Sequence, residues 1–422
     1  MNLNVQPLKA LCDEEVKIHI SGLPPYGKVK ITASMHLPWA EDVKFESQAD
    51  FKANSKGDLD LSKVKPESGD YNFINSMGLI VSMHTKNKKA INKITKNISI
   101  DKNLFIDIKA ECKQNEAIVK LERIFKINEV KKLQFSNPFV GELYYSENTD
   151  NKILILLGGS GSELSINSPI AGVLASHGLD ILSLSYFRDK GLPEQLSEIP
   201  LEYFENLFNW LSNNPLTKDK EINLFGISKG GELALLLASR YNHFAKIAAI
   251  SPHAYCFQGI AFKNVSSWTY KGKSIPFIRL KNIWLLTNMI NCIIKNKTFG
   301  FTHTYKMGIE KANNRNEARI KVENSKAKIL LVTTKQNNIW NSYDGCMEIM
   351  ETLRKNDYKY GYDLVVYENA GEPFYVPFVI PLCETTTVKF APRLRFSTGG
   401  TLDGNLLAQS DSWKKVIEFF KR

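Results

Sequence analysis

Histidine is scarce in this 422-residue chain: there are seven, and none follows His303. The last 119 residues therefore hold no imidazole, the side chain whose ordinary pKa suits it to proton transfer near neutral pH. Cysteine is as sparse. Cys12, Cys112, Cys256, Cys292, Cys346 and Cys383 are scattered, with no CxxC and no Cys/His metal cluster. That pattern excludes a zinc ribbon and a disulfide-stapled miniprotein, and predicts reduced thiols and no bound metal. No run approaches about 18 uninterrupted apolar residues, and the N-terminus lacks a basic patch followed by an apolar core. Neither a membrane span nor a signal peptide is expected, and the expected location is the cytoplasm. GxxxxGK[ST] and HExxH are missing, which leaves NTPase and zinc-hydrolase chemistry without support. GGSGSE after Ile153–Leu157 is not GxGxxG, and no acidic residue ends the next apolar run, which disfavours a dinucleotide fold.

What is present is an ordinary globular composition, 43% hydrophobic and 23% charged, with length enough for two domains or more. Lys and Arg outnumber Asp and Glu by 55 to 44, a net +11 compatible with nucleic acid, an anionic membrane surface or a phosphate-bearing small molecule. No RNP motif, helix-turn-helix or aromatic-interleaved basic stripe accompanies the charge, so no nucleic-acid partner is expected. Nothing in the sequence sets an oligomeric state.

Short β-prone runs dominate the first 140 residues: Glu15–Ile20, Lys28–Ser34, Leu104–Ala110 and Ala117–Phe125, separated by turn signals. They predict an all-β, immunoglobulin-like sandwich over residues 1–140. Within it Lys86, Lys88, Lys89, Lys93 and Lys96 form a dense basic segment, readable as a solvated hairpin edge or as a docking site for phosphate or nucleic acid. From residue 141 to 422 continuous apolar strands alternate with helices: Ile153–Leu157, Leu179–Tyr186, Glu221–Phe225, Lys246–Ser251, Lys328–Thr333 and Tyr362–Tyr367. That rhythm predicts a doubly wound, mostly parallel sheet. Residues 252–325 interrupt it and read as a cap insertion, with the apolar patch Ile283–Ile294 expected to pack within the cap rather than lie on a membrane. Glu372–Gln409 reads as a long irregular segment of the kind that is functional or mobile.

Gly226-Ile227-Ser228-Lys229-Gly230 fits GxSxG, entered from an apolar strand and left by a helix. Glycines on both flanks allow the sharp turn that lifts a serine Oγ above a sheet, at a helix N-terminus rich in free N–H groups. The N–H of Lys229 would supply one oxyanion donor, and the Gly158–Gly161 loop, at Gly159 and Ser160, the other.

Beyond that motif, GISKGGELALLLASR (Gly226–Arg240) closely resembles the elbow of the acyl-CoA thioesterase and bile acid-CoA:amino acid N-acyltransferase family. The resemblance runs from GDLDLS (Gly57–Ser62), GDY (Gly69–Tyr71) and SMGL (Ser76–Leu79) through LASHG (Leu174–Gly178), IPLEYFE (Ile199–Glu205) and TYKGKSIP (Thr269–Pro276). It continues to IPLC (Ile380–Cys383) and AQSDSWKKVIEFF (Ala408–Phe420). It implies an α/β-hydrolase domain behind the sandwich, and a nucleophile that attacks the thioester carbonyl of an acyl-CoA. Water or an amino acid amine would then take the acyl group. A CoA thioester would be substrate, and no cofactor is implied. The acyltransferase branch typically carries cysteine as nucleophile, so Ser228 leans toward hydrolysis.

Such a triad runs Ser, Asp/Glu, His in chain order. The family's acid lies in a run resembling DDHNW. Aligned on Trp340, this chain reads Gln336-Asn337-Asn338-Ile339-Trp340, which sets Asn337 in the acid's place. The family's His belongs to a GH pair, and here the pair is Gly371-Glu372. Three readings stay open. Glu372, made basic by burial and oriented by Asn337, serves as base in a Ser–Glu arrangement like that of sedolisin-type peptidases. Alternatively, His253 or His303 substitutes. In the third reading the pocket binds an acyl or CoA-like ligand, or the fold binds a protein partner, with little or no turnover.

Overall fold

The computed structural model describes residues 1–86, 98–147, 151–261, 264–372, 374–382, 387–391 and 393–422. Apart from Lys86, the lysines of the basic segment lie outside the described residues, as does Cys383. The other five cysteines are free thiols.

Alternation builds the N-terminal region. In Lys28–Leu37 the side chains of Val29, Ile31, Ala33, Met35 and Leu37 turn inward while Lys28, Lys30 and His36 stay outside or at the margin. This strand pairs antiparallel with Ala40–Lys52 on one side and Leu104–Cys112 on the other, within a six-stranded sheet. A three-stranded sheet of Asn2–Gln6, Lys17–Ser21 and Leu59–Asp60 covers it, and Val5, Ile18 and Ile20 share one core with Ile31, Phe45 and Ile106.

The second sheet has eight strands: β1 (Lys131–Phe135), β2 (Val140–Tyr145), β3 (Lys152–Leu157), β4 (Asp180–Ser185), β5 (Glu221–Ile227), β6 (Phe244–Ile250), β7 (Lys328–Thr334) and β8 (Tyr362–Tyr367). Their spatial order is β1-β2-β4-β3-β5-β6-β7-β8, and only β2 runs against the others. This is the strand order of an α/β-hydrolase, as the motifs imply. The sheet takes its edge strand from residues ahead of Gly141. Central strands are continuously apolar because helices cover both faces. Alternate residues divide between them: Leu154 and Leu156 pack with α1 (Leu164–Ser176) and α7 (Leu402–Lys421), whereas Ile153, Ile155 and Leu157 pack with α2 (Glu202–Asn213), α3 (Lys229–Ala238) and α6 (Ser342–Lys355). Asp13 of the N-terminal region locks onto the first of these faces. Its Oδ2 accepts Trp413 Nε1–H at 2.8 Å and lies 2.6 Å from His177 Nε2.

Between β6 and β7 the chain forms strand Trp268–Tyr270, paired with Ile199–Pro200 and Lys273–Ser274, and then α4 (Asn282–Ile294) and α5 (Thr302–Glu310). The apolar patch expected to pack inside this insertion does so only in part: α4 rests on α5 with one side half-buried, yet contains no fully buried residue. Its main contacts are with α5 and the strand Leu394–Ser397. Among the described residues no helix is long and apolar enough to cross a membrane.

Candidate active site

β5 delivers Ser228 at its end, and α3 begins with the next residue. Ser228 has φ 55° and ψ −118°, a left-handed conformation costly for a residue with a side chain and typical of a nucleophile elbow. The flanking glycines are steric necessities. A Cβ on Gly226 would stand 2.2 Å from the Gly230 carbonyl oxygen, and one on Gly230 2.1 Å from that of Leu157. Ser228 N–H donates to the Ile250 carbonyl at 2.8 Å, tying the elbow to β6. The first N–H groups of α3, Lys229 included, have no carbonyl one turn back to bind.

The loop after β3 runs against this turn. A Cβ on Gly159 would lie 3.1 Å from Ser228 Cβ and 2.9 Å from the Ile227 carbonyl oxygen, so only glycine lets the backbone come this close. Two anchors hold the loop: the Tyr186 hydroxyl donates to the Gly158 carbonyl, and Arg188 donates to that of Ser160 at 3.1 Å.

Asn337 follows β7 and Glu372 follows β8, the two places a hydrolase triad would fill. Asn337 Oδ1 accepts the backbone N–H of Ile339 at 2.8 Å and of Trp340 at 3.3 Å. That sets the amide's direction. Its Nδ2 must point the other way, where it donates to Glu372 Oε2 at 2.9 Å and lies 3.2 and 3.4 Å from the Ser342 and Ser251 hydroxyls. The Glu372 loop is itself clamped. Gly371 N–H donates to Asn405 Oδ1 at 2.8 Å, and the Thr334 hydroxyl donates to the Gly371 carbonyl.

Burial pushes the Glu372 carboxyl up to about 7, while the hydrogen bond from Asn337 and the nearby Ser228 hydroxyl pull the other way. Asn337 is thus hydrogen-bonded to Glu372, and Ser228 stands close to the same carboxyl. Ser228 and Glu372 open into a cavity of about 480 Å³ that Gly159 and Ser160 also line. The rest of its wall is mainly apolar, with Ile98, Ile166, Ile170, Phe374, Ile380 and Leu382 prominent.

The two histidines proposed as substitutes are not in this group. His253 is buried against the rings of Tyr255, Phe257 and Trp340, and burial lowers its pKa to about 3, which makes it a neutral core residue. His303 stands exposed on α5. Neither lines the cavity. Among the described residues no cluster of three or more His, Cys, Asp or Glu could hold a metal ion.

Sequence reasoning missed the layer under the elbow. The Lys229 side chain turns inward, and its Nζ donates to both Glu232 carboxylate oxygens at 2.7 Å. Trp268 Nε1–H donates to Glu232 Oε1 at 2.8 Å, so the ion pair joins α3 to the inserted small sheet. A Lys/Glu pair three residues apart in an otherwise apolar helix was the available signal. Ser251 and Ser342, which hydrogen-bond the Asn337 amide, carried no local signal, and neither did the cavity walls. Those groups come from distant parts of the chain.

Comparison with known proteins shows the family. The family model described as BAAT/acyl-CoA thioester hydrolase C terminal matches residues 199–422, and that of the acyl-CoA thioester hydrolase/BAAT N-terminal region matches residues 13–137. Acyl-coenzyme A amino acid N-acyltransferase 1 of Mus musculus is 28% identical, with 100% of this chain and 97% of that protein covered. The mouse bile acid-CoA:amino acid N-acyltransferase is 27% identical at the same coverage. The mouse peroxisomal succinyl-coenzyme A thioesterase is 25% identical over 99% of this chain and 96% of its own length. Two matched halves and end-to-end similarity lead to one conclusion: the chain belongs to the acyl-CoA thioester hydrolase/BAAT family.

Proposed function

We propose that this protein hydrolyses acyl thioesters through Ser228, with Glu372 as general base and Asn337 as its orienting partner. The observation that carries the reading is the Ser228–Glu372–Asn337 group, in hydrolase chain order and with the carboxyl pushed up to about 7 by burial. A carboxylate of ordinary pKa is a poor proton acceptor at neutral pH, and one near 7 is matched to the task.

In this mechanism Glu372 takes the Ser228 hydroxyl proton as Oγ attacks the carbonyl carbon. The N–H of Lys229 and the Gly159–Ser160 loop receive the oxyanion. The C–S bond breaks, leaving an acyl-serine and a thiolate that takes up the proton held by Glu372; Glu372 then takes a proton from the attacking water and returns it to Ser228 Oγ as the acid is released. A thioester suits such a base. A thiol of pKa about 8.5 departs readily as thiolate, without the strong proton donor that an amine or alkoxide requires. The apolar cavity beside Ser228 fits the acyl moiety, and the relatives named for acyl-CoA chemistry support CoA as the thiol.

The test is thiol release from a panel of acyl-CoAs by purified protein, with Ser228→Ala alongside and fluorophosphonate labelling read by mass spectrometry. The expected result is turnover that falls about 10³-fold or more in the variant, with label on Ser228. Absence of both turnover and label would overturn the catalytic reading and leave ligand binding in its place.

A further inference from the structure

α4 presents its apolar side outward, the reverse of an ordinary surface helix. Ile283, Leu286, Ile290 and Ile294 recur at helical spacing and are 56, 52, 48 and 74% exposed. The opposite side, with Trp284, Leu285, Asn288 and Cys292 half-buried, holds the helix to the protein, and Asn288 Nδ2 donates to the Gly300 carbonyl at 2.9 Å. At 13 residues the helix is too short to span a bilayer.

The charge around it has one sign. No Asp or Glu occurs between Glu232 and Glu310, a stretch that carries ten Lys and Arg in a chain whose net charge is +11. Four of them, Arg279, Lys281, Lys295 and Lys297, are exposed beside the two ends of α4, and none takes part in an ion pair among the described residues. The outward stripe is purely aliphatic. It lacks the Trp, Tyr or Arg anchors that usually dominate protein–protein contacts.

We propose that α4 docks this protein on an anionic lipid surface, with the stripe entering the boundary between headgroups and acyl chains and the four cations meeting lipid charge. The placement suits the site. α4 packs on the strand Leu394–Ser397, and the next residue, Thr398, lines the cavity beside Ser228. The inference does not depend on Ser228 turning over a substrate.

Vesicle flotation with the full chain tests it. Wild-type protein should bind phosphatidylcholine vesicles containing about 30 mol% phosphatidylserine at least tenfold more tightly than phosphatidylcholine alone. Raising NaCl to about 0.5 M should weaken that binding about tenfold. Leu286→Glu with Ile290→Glu should abolish it while leaving circular dichroism and the thermal midpoint unchanged, because both side chains are exposed. Lys295→Glu with Lys297→Glu should weaken it about tenfold. Three results would each overturn the proposal: no binding of wild type to anionic vesicles, undiminished binding by the Leu286/Ile290 variant, or a wild-type dimer that this variant converts to monomer. The last would mean that a second copy of the chain covers the stripe.

Discussion

Glu372→Gln isolates the charge at the centre of the proposed chemistry, because an amide keeps the carboxyl's shape and its acceptor for Asn337 Nδ2. Burial lifts the Glu372 pKa from 4.5 to about 7, and each pKa unit corresponds to about 1.36 kcal/mol. The ionised carboxylate therefore destabilises the folded state by roughly 3 kcal/mol above neutral pH. The sign follows from proton binding. Between about pH 4.5 and 7 the folded protein keeps a proton that the unfolded chain has released, so stability falls as pH rises through this window. Glutamine carries no charge at either end of the window. Denaturant titrations should find the variant gaining on wild type by roughly 2–3 kcal/mol between pH 5 and pH 8. Turnover should move oppositely: absent in the variant at every pH, and rising in wild type through about pH 7 as the base ionises. If wild type and variant keep a constant stability difference from pH 5 to pH 8, Glu372 titrates in the ordinary carboxylate range and the argument for it as base fails.

Restoring a His-based triad must be done in both places at once. Asn337→Asp alone sets a second carboxylate against Glu372, and Glu372→His alone receives the Asn337 amide proton on Nδ1, leaving a protonated Nε2 that cannot accept from Ser228. Each single variant should lose tenfold or more in kcat/KM and the double variant should recover well beyond their product, whereas additive effects in the cycle would refute this coupling. Under the elbow, Glu232→Leu strands the Lys229 ammonium in a site 3% exposed and should cost about 3–5 kcal/mol in denaturant unfolding. Adding Lys229→Met should recover most of that loss, and a single-variant cost under about 1 kcal/mol would mean that the pair is solvated.

The elbow and the sheet were legible because local sterics and long apolar runs decide them. Gly226 and Gly230 tolerate no Cβ, and β3 and β4 are buried along nearly their whole length. Ala40–Lys52 was less legible. It alternates from Val43 to Lys52, but its inward row is interrupted by Ser47, whose hydroxyl donates to the Leu79 carbonyl at 2.6 Å, a partner set only by tertiary structure. The start of α7 was hidden likewise. Gly404 and Asn405 read as loop residues, yet Thr401 caps the helix and the Asn405 side chain clamps Gly371 and Gly399. α4 shows the limit of periodicity, which marks an apolar stripe without saying whether protein covers it.

The site itself divides in the same way. Chain order together with the family resemblance set Asn337 and Glu372 in the acid and base positions, and the residue types alone read as two losses. The structure changes that reading through one hydrogen-bond direction. With Asn337 Oδ1 held by two backbone N–H groups, its Nδ2 can only donate toward position 372, and the residue there must accept. Glutamate accepts in its ionised form, and the hydrogen bond lowers a pKa that burial alone would raise further. An aspartate at 337 would instead have required a donor opposite it, which is what a neutral imidazole supplies. Asn with Glu and Asp with His are thus two solutions that both pair the residues and leave an acceptor facing Ser228, whereas Asp with Glu sets two acceptors together and Asn with His turns a donor toward the serine. A half-buried carboxylate whose partner amide can only donate, beside a serine in a strained conformation, is an arrangement that suits proton transfer.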